Sequence, residues 1–261
     1  MPTLARIHLH PVKSLDAQSV DSAVLMAGGA LRHDRRFALR DYNGEFVDGK
    51  RAPKVHLLRS HFDTATNQLE LRVEGSSTVE RFDVYVQRRE LEAWLTEYFG
   101  QPLELVEDPA AGFPDDTESP GPTVISTATL TAVADWFPGL SADETRNRFR
   151  ANLEIDGVEA FWEDRLVAGE GRVVRFRIGE AELWGTNPCQ RCVVPSRNPR
   201  SGETTREFAK VFSRFRQQSL PEWAPADRFD HFYRLSVNTR LAGNRECVLR
   251  VGDEVQILDV M

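Results

Sequence analysis

Cysteine is scarce in this chain, with three in 261 residues. That count excludes a disulfide-stapled scaffold and fits a reducing compartment. It also rules out an iron–sulfur cluster of the plant type in this chain, which needs four thiols in C-x4-C-x2-C…C spacing. No stretch reaches about 18 consecutive apolar residues, so no membrane-spanning helix is expected. The N-terminus, MPTLARIHLHPVKS, lacks the charged-then-apolar order of a secretory signal. Positive charge is not in excess either: the net charge of -7 and pI near 5.5 argue against a nucleic-acid partner. With no G-x-G-x-x-G fingerprint there is no evident NAD site. These absences together lead to the expectation of a cytoplasmic protein that engages neither membrane nor nucleic acid.

What is present reads mainly as short strands. Residues 4–10 alternate and stop at Pro11; 36–41 and 45–47 flank a Tyr-Asn-Gly turn as a hairpin. Residues 54–61, 68–73 and 80–86 are further strands, and 89–99 form a helix closed by Gly100. The acidic, Pro- and Gly-rich stretch 108–122 reads as a linker or loop. Beyond it, 127–136 form a helix capped by Ser126, 173–178 and 182–184 a hairpin, and 209–215 a short helix. Residues 233–238, 248–251 and 254–258 close the chain as strands, the last two around Gly252-Asp253. The fold class expected is mainly β with a few helices (α+β), in two parts.

Two of the three thiols, Cys189 and Cys192, lie in one turn, TNPCQRCVVPSRNPRSG at 186–202. A thiolate suits a soft metal, and Arg191 between the two would favour the ionised form. Pro195 and Pro199 rule out a continuous helix, so Cys192 acts from an extended or turning backbone. A thioredoxin-like dithiol wants a helix N-terminus that the prolines deny. Structural zinc wants four ligands, and beyond Cys247 no further thiol or paired histidine completes the set. Two inert buried cysteines remain a third reading.

A polar and basic set is dispersed around that turn. Lys13 and Ser14 follow the first strand, Arg35 and Arg36 stand at the mouth of another, and Arg150 and Asn152 precede an apolar run. At strand ends such residues can converge, and Lys and Arg together suit a phosphate or other oxyanion. Each taken alone is equally a solvated surface charge.

The ordered motifs PVKS (11–14), DRRF (34–37), FRAN (149–152), NPCQRC (187–192) and VGDEV (251–255) resemble the MOSC family with its N-terminal β-barrel partner domain. That family includes the mitochondrial amidoxime-reducing component and its bacterial relatives. The resemblance implies an N-terminal β-barrel-like domain over 1–115 and a β-rich MOSC domain over 116–261. It implies a molybdenum–molybdopterin cofactor, with Cys192 as metal ligand and catalytic residue. Lys13, Ser14 and Arg36 would then meet the pterin and its phosphate, and Arg150, Asn152 and Arg191 would line the same groove. Ser119 and Ser126 stand where the family has a cofactor-touching loop.

The activity implied is reduction of small N-hydroxylated or N-oxygenated compounds. Some relatives carry a ferredoxin domain or an N-terminal anchor. With neither legible here, the electrons are expected from a separate ferredoxin-like protein and its reductase. The acidic loop, with Glu107, Asp108, Asp115, Asp116 and Glu118, is a candidate docking surface for that donor. Two other readings stay open: a sulfur-carrier or metal–sulfur assembly module holding a persulfide on Cys192, and a structural β protein with inert thiols.

Overall fold

The computed structural model describes residues 1–261, and strands dominate it. The first part of the chain supplies β1 (Thr3–Leu9), β2 (Gln18–Val20), β3 (Ser22–Leu25), β4 (Phe37–Asp41), β5 (Leu58–Asp63), β6 (Gln68–Val73), β7 (Glu80–Asp83), α1 (Arg88–Phe99) and β8 (Leu103–Glu107). After the loop come β9 (Val124–Ser126), α2 (Thr127–Ala134), α3 (Ala142–Phe149), β10 (Leu153–Asp156), β11 (Val174–Ile178) and β12 (Ala181–Gln190). The chain ends with α4 (Phe208–Gln218), β13 (Arg234–Leu241), β14 (Cys247–Arg250) and β15 (Val255–Val260).

Eight strands form the main sheet, in the order β15-β11-β12-β13-β9-β10-β1-β2. Only β9 and β10 run parallel. A β-bulge between Leu4 and Arg6 shifts the alternation of β1 by one, so that Leu4, Ile7 and Leu9 enter one core with Leu153, Ile155, Phe176, Leu183 and Val237. The first strand of the chain is therefore built into the sheet of the C-terminal half, with Ile7 opposite Leu153. The N-terminal unit has a second core, in which Phe37, Leu58, Leu69 and Leu105 meet Leu91 and Leu95 of α1. Its strands pair as β4-β8 and β5-β6-β7, two small sheets that hydrogen bonding does not close into one cylinder. Helix α1 stops where Gly100 turns left-handed at φ 76° and its N–H returns to the Thr96 carbonyl. A third core gathers α2, α3 and α4 through Phe149, Phe208 and Phe212.

Several elements differ from expectation. Residues 45–47 are too short a ladder to count as a strand, but the hairpin is there: Asp41 N–H donates to the Glu45 carbonyl and Val47 N–H to the Leu39 carbonyl, each at 2.9 Å, around an Arg40–Phe46 bridge. The other edge of β4 carries the longer ladder with β8, Leu39 opposite Leu105. Residues Pro53–Leu57 make a 3-10 turn, opened by the proline, before β5 begins. Strands β14 and β15 are not a hairpin, since β14 pairs with β3 and β15 with β11. Helix α3 escaped the sequence pattern because Thr145, Arg148 and Phe149 are its buried residues and form no apolar stripe. It is made instead by its ends. Ser141 accepts the Glu144 N–H, Asp143 and Glu144 occupy the first turn, and Arg146 and Arg148 the last.

The 108–122 loop is fastened rather than free. Asp108 N–H donates to the Arg36 carbonyl and Phe113 N–H to the Arg35 carbonyl, both at 2.9 Å. Gly112 packs so closely that a Cβ there would stand 2.7 Å from the Asp34 carbonyl oxygen. The loop thereby becomes a wall of the cleft between the N-terminal unit and the main sheet.

Candidate functional site

A cleft of about 990 Å³ separates the N-terminal unit from the main sheet. Its walls carry eleven Lys or Arg side chains and five Asp, and several of the arginines are ion-paired to carboxylates just behind the wall, among them Glu74, Glu144 and Glu154. Four cations, Lys50, Arg150, Arg191 and Arg197, have no ion pair, in a chain whose net charge is -7.

The floor is set where β1 ends. Lys13 N–H donates to the Phe37 carbonyl at 2.7 Å, and Ser14 takes a left-handed φ of 72°, which bends PVKS inward. The Lys13 ammonium donates to the Phe113 carbonyl at 2.9 Å and to Asp115 at 2.6 Å. Desolvation pushes the Asp115 carboxyl up, but Lys13 and Arg35 prevail and hold it below the usual range. Behind them, His10 N–H donates to Asp34 at 2.7 Å, and Arg35 pairs with the same carboxylate. Burial, reinforced by Arg150, lowers the His10 pKa to about 3, so its ring is neutral. Burial would raise Asp34, yet Arg35 and the His10 contacts keep it ionised.

The arginine of DRRF that faces the cleft is Arg35, not Arg36. Arg36 points the other way, donating to Glu107 and to the Tyr85 hydroxyl, each at 2.8 Å. The reason is backbone: Arg35 adopts φ 48°, which breaks the alternation expected of a continuing strand. Arg36, expected to meet the cofactor, therefore does not line the cleft, and its neighbour Arg35 does.

The next wall comes from the end of α3. Arg150 caps the helix at φ 55°, its N–H returning to the Arg146 carbonyl. Its guanidinium reaches the Leu15 carbonyl at 2.7 Å and has no carboxylate partner. Burial and the neighbouring Arg35 lower its pKa to about 10, still cationic at neutral pH. Asn152 is 1% exposed. Its amide donates to the His8 carbonyl at 3.0 Å, and its oxygen accepts the Thr123 N–H and hydroxyl at 3.2 Å. It acts as a rivet between β1 and the loop leading to β9. Close by, a Cβ on Gly121 would stand 2.5 Å from the Thr239 hydroxyl, so only glycine lets this loop lie against β13. Ser119 lines the cleft and shares a hydrogen bond with Thr186 at 3.0 Å. Ser126 does not reach it: its side chain caps α2 by accepting the Thr129 N–H.

The thiol turn completes the site. Strand β12 runs on to Gln190 through Pro188, with irregular register against β13. Cys189 therefore points inside, 4% exposed, its thiol donating to Asn238 Oδ1 at 2.8 Å. Burial, offset in part by Arg191, raises its pKa to about 11, so it stays protonated. Cys192 is exposed on the cleft wall. Arg191 donates its N–H to the Tyr233 carbonyl at 3.0 Å and its guanidinium to the Phe149 carbonyl at 2.5 Å, over the Phe149 ring. On the other side of the thiol, Arg148 donates to the Pro195 carbonyl at 2.8 Å. The turn bearing Cys192 is thus pinned at both ends to the last turn of α3. Sequence reasoning missed Arg148; its one signal was the i,i+4 spacing from Glu144, to which it is ion-paired.

No cluster of three or more His, Cys, Asp or Glu side chains surrounds the thiol. A metal held at Cys192 would take one protein sulfur and draw its other ligands from a bound group. Of the acidic-loop residues, Glu107 holds Arg36, Asp115 holds Lys13 and Asp116 accepts from Asn238 at 3.0 Å, while Glu118 is exposed and makes no ion pair.

A mainly β chain, with one exposed thiol in a cleft between its N-terminal unit and its main sheet, defines the class, and family comparison agrees. The MOSC N-terminal beta barrel domain model matches residues 1–102 and the MOSC domain model residues 123–256, so the chain belongs to the MOSC family. Among its relatives, molybdenum cofactor sulfurase of Drosophila mojavensis is 25% identical over 84% of this chain and 31% of its own length. Mitochondrial amidoxime-reducing component 1 of Danio rerio is 26% identical over 78% of this chain and 71% of its own. The chain therefore spans about a third of the sulfurases it matches. Among solved structures, YiiM from Geobacillus stearothermophilus aligns with 53% of this chain and 54% of its own at 12% identity and a TM-score of 0.34. No helix of the structure is long and apolar enough to cross a membrane.

Proposed function

We propose that the chain is a molybdenum-cofactor-dependent oxidoreductase that reduces N-hydroxylated or N-oxygenated compounds, with Cys192 as the metal's protein ligand. One observation carries the reading. The only exposed thiol of the chain stands on the wall of a cleft whose cations include half-buried Arg150 and Arg191, neither of which has a carboxylate partner. Such cations call for an anionic occupant. Arg191 adds a buried Nε without any partner.

The residues present suit an anionic pterin with a phosphate. Lys13, Ser14, Arg35 and Arg150 form the phosphate side, where a charged fork and an ammonium converge. Asn152 fixes the loop opposite, and Arg191 fixes the turn. Cys192 supplies a thiolate on the wall of the cleft. When bound, the molybdenum–pterin group would supply oxygen-atom abstraction and electron storage. The net reaction breaks the N–O bond of R–NH–OH, consuming two electrons and two protons and releasing the amine and water. Neither an iron–sulfur set nor a dinucleotide fingerprint is available in this sequence to deliver those electrons. A separate ferredoxin-like donor with its reductase is the proposed source.

The test uses protein made in a molybdate-replete host. One equivalent of molybdenum with pterin is expected, together with reduction of benzamidoxime by reduced viologen but not by NADH. Sulfane sulfur on Cys192 without molybdenum would favour the persulfide-carrier reading suggested by the names of the sulfurase relatives. Neither metal nor sulfane sulfur would leave a structural protein.

A further inference from the structure

Of the eleven cations in the cleft, seven are ion-paired: Lys13, Arg35, Arg59, Arg146, Arg148, Arg200 and Arg234. Arg150 and Arg191 belong to the set already described. Lys50 and Arg197 are left over, in the same cleft but in no role assigned so far. Both stand on segments that meet at Val194, two residues beyond the thiol. A Cβ on Gly49, the neighbour of Lys50, would lie 3.3 Å from Val194 and 2.8 Å from His56 Nε2. Arg197 N–H donates to the Val194 carbonyl at 2.9 Å. Its guanidinium makes only long contacts, to the Gly202 carbonyl at 3.3 Å and the Thr204 hydroxyl at 3.4 Å. Its Nε and the Nε2 of His56 are both buried without a partner.

Neither cation of this pair makes an ion pair. Asp48 accepts the backbone N–H groups of Lys50 and Arg51, and Asp115, which Lys50 also influences, is bonded to Lys13. A half-buried guanidinium with an orphaned Nε is costly unless an anion completes it. Cys192 is exposed on the wall of this same cleft, which Lys50, His56 and Arg197 also line, so a metal held on its sulfur would share the cleft with them.

We infer that Lys50 and Arg197, with His56 between them, form a substrate subsite for an oxyanion, so that the preferred substrates are N-oxygenated compounds bearing a carboxylate or phosphate. The inference rests on the reductase reading for its kinetic test, but the anion site itself can be read independently. The same chemistry could come from a second phosphate on the bound cofactor, and the experiment separates the two.

Holoprotein reduced with viologen is given benzamidoxime and 4-carboxybenzamidoxime. Wild type is expected to favour the carboxylate in kcat/KM, and Lys50→Gln and Arg197→Gln to lower that preference about tenfold to a hundredfold through KM. Arg197→Lys should restore part of it. Lys50 makes no side-chain hydrogen bond or ion pair, so its variant keeps the test valid should Arg197→Gln fold poorly. An equal effect on both compounds would overturn the inference, and so would pterin lost from the Lys50 variant, which would assign the site to the cofactor. Titration calorimetry with non-reducible 4-carboxybenzamide gives the second readout. Binding that disappears in the double variant supports the site even if neither amidoxime is reduced, an outcome that would sink the reductase reading alone. No binding to wild type would overturn the site whatever the turnover.

Discussion

The Arg148 guanidinium donates to the Pro195 carbonyl at 2.8 Å, tying the last turn of α3 to the segment that carries Cys192. Two residues on, Arg150 reaches the Leu15 carbonyl, and between them the Phe149 carbonyl accepts from Arg191. Three consecutive residues therefore hold the thiol turn and the PVKS loop at fixed separation. This is possible because Arg150 takes a left-handed φ, which ends the helix and lets its side chain leave in a new direction.

Arg148→Met should leave the Pro195 carbonyl without a donor and the Glu144 carboxylate with only the Asn198 amide at 3.3 Å. A loss of roughly 2–4 kcal/mol in stability is expected from one buried charged pair and one buried acceptor. Urea unfolding checks that value. Molybdenum content should fall further than in a core variant of equal stability, and Arg148→Lys should recover part of both. Equal metal content in the two destabilised proteins would reduce Arg148 to a structural role.

Cys192→Ser should abolish metal binding and turnover while the unfolding midpoint stays close to wild type, since the side chain is exposed. Cys189→Ser should behave in the opposite sense, keeping the metal and losing stability by about 1–2 kcal/mol, as expected when a buried contact is altered. Metal analysis and thermal melts of the two variants decide between them. Indistinguishable behaviour would favour a two-thiol site.

Arg35→Ala is expected to purify with substoichiometric pterin, by about tenfold to a hundredfold weaker retention, the cost of one charge-assisted bond. Arg36→Ala should retain the cofactor, because its guanidinium serves Glu107 and Tyr85 outside the cleft. Fluorescence of the released, oxidised pterin provides the measure. The reverse order would mean that the DRRF segment is turned over when the cofactor is bound.

Acid should weaken the main sheet through Glu154. Burial would raise its pKa, but Arg146, at 2.6 Å, and His8 lower it to about 2. A depressed carboxylate stabilises the fold above its unfolded value, near 4.5, and that contribution is lost as pH falls toward 2. The advantage of wild type over Glu154→Gln should therefore be large at pH 7, on the order of 3 kcal/mol, and shrink between about pH 4.5 and 2. Denaturant unfolding at pH 7 and pH 3 tests the slope. A pH-independent difference would show that the pair is not what titrates.

The strand-rich class, helix α1 with its Gly100 stop, and the α2 cap at Ser126 were legible in the sequence. Each depends on local chemistry: alternating burial, a left-handed glycine, a hydroxyl over free N–H groups. The membership of Cys192, Lys13, Ser14, Arg150, Asn152 and Arg191 in one cleft was anticipated from motif order, and the structure brings all six to its walls. The choice between Arg35 and Arg36 was not legible. Adjacent residues of the same type differ there only through one backbone angle, which the Asp34–His10 contacts and the packed loop impose from a distance. Likewise, nothing local separates Cys189 from Cys192. Strand β13 decides it, by placing Asn238 beneath one thiol and leaving the other in the cleft, since pairing register sets which side chains a strand buries.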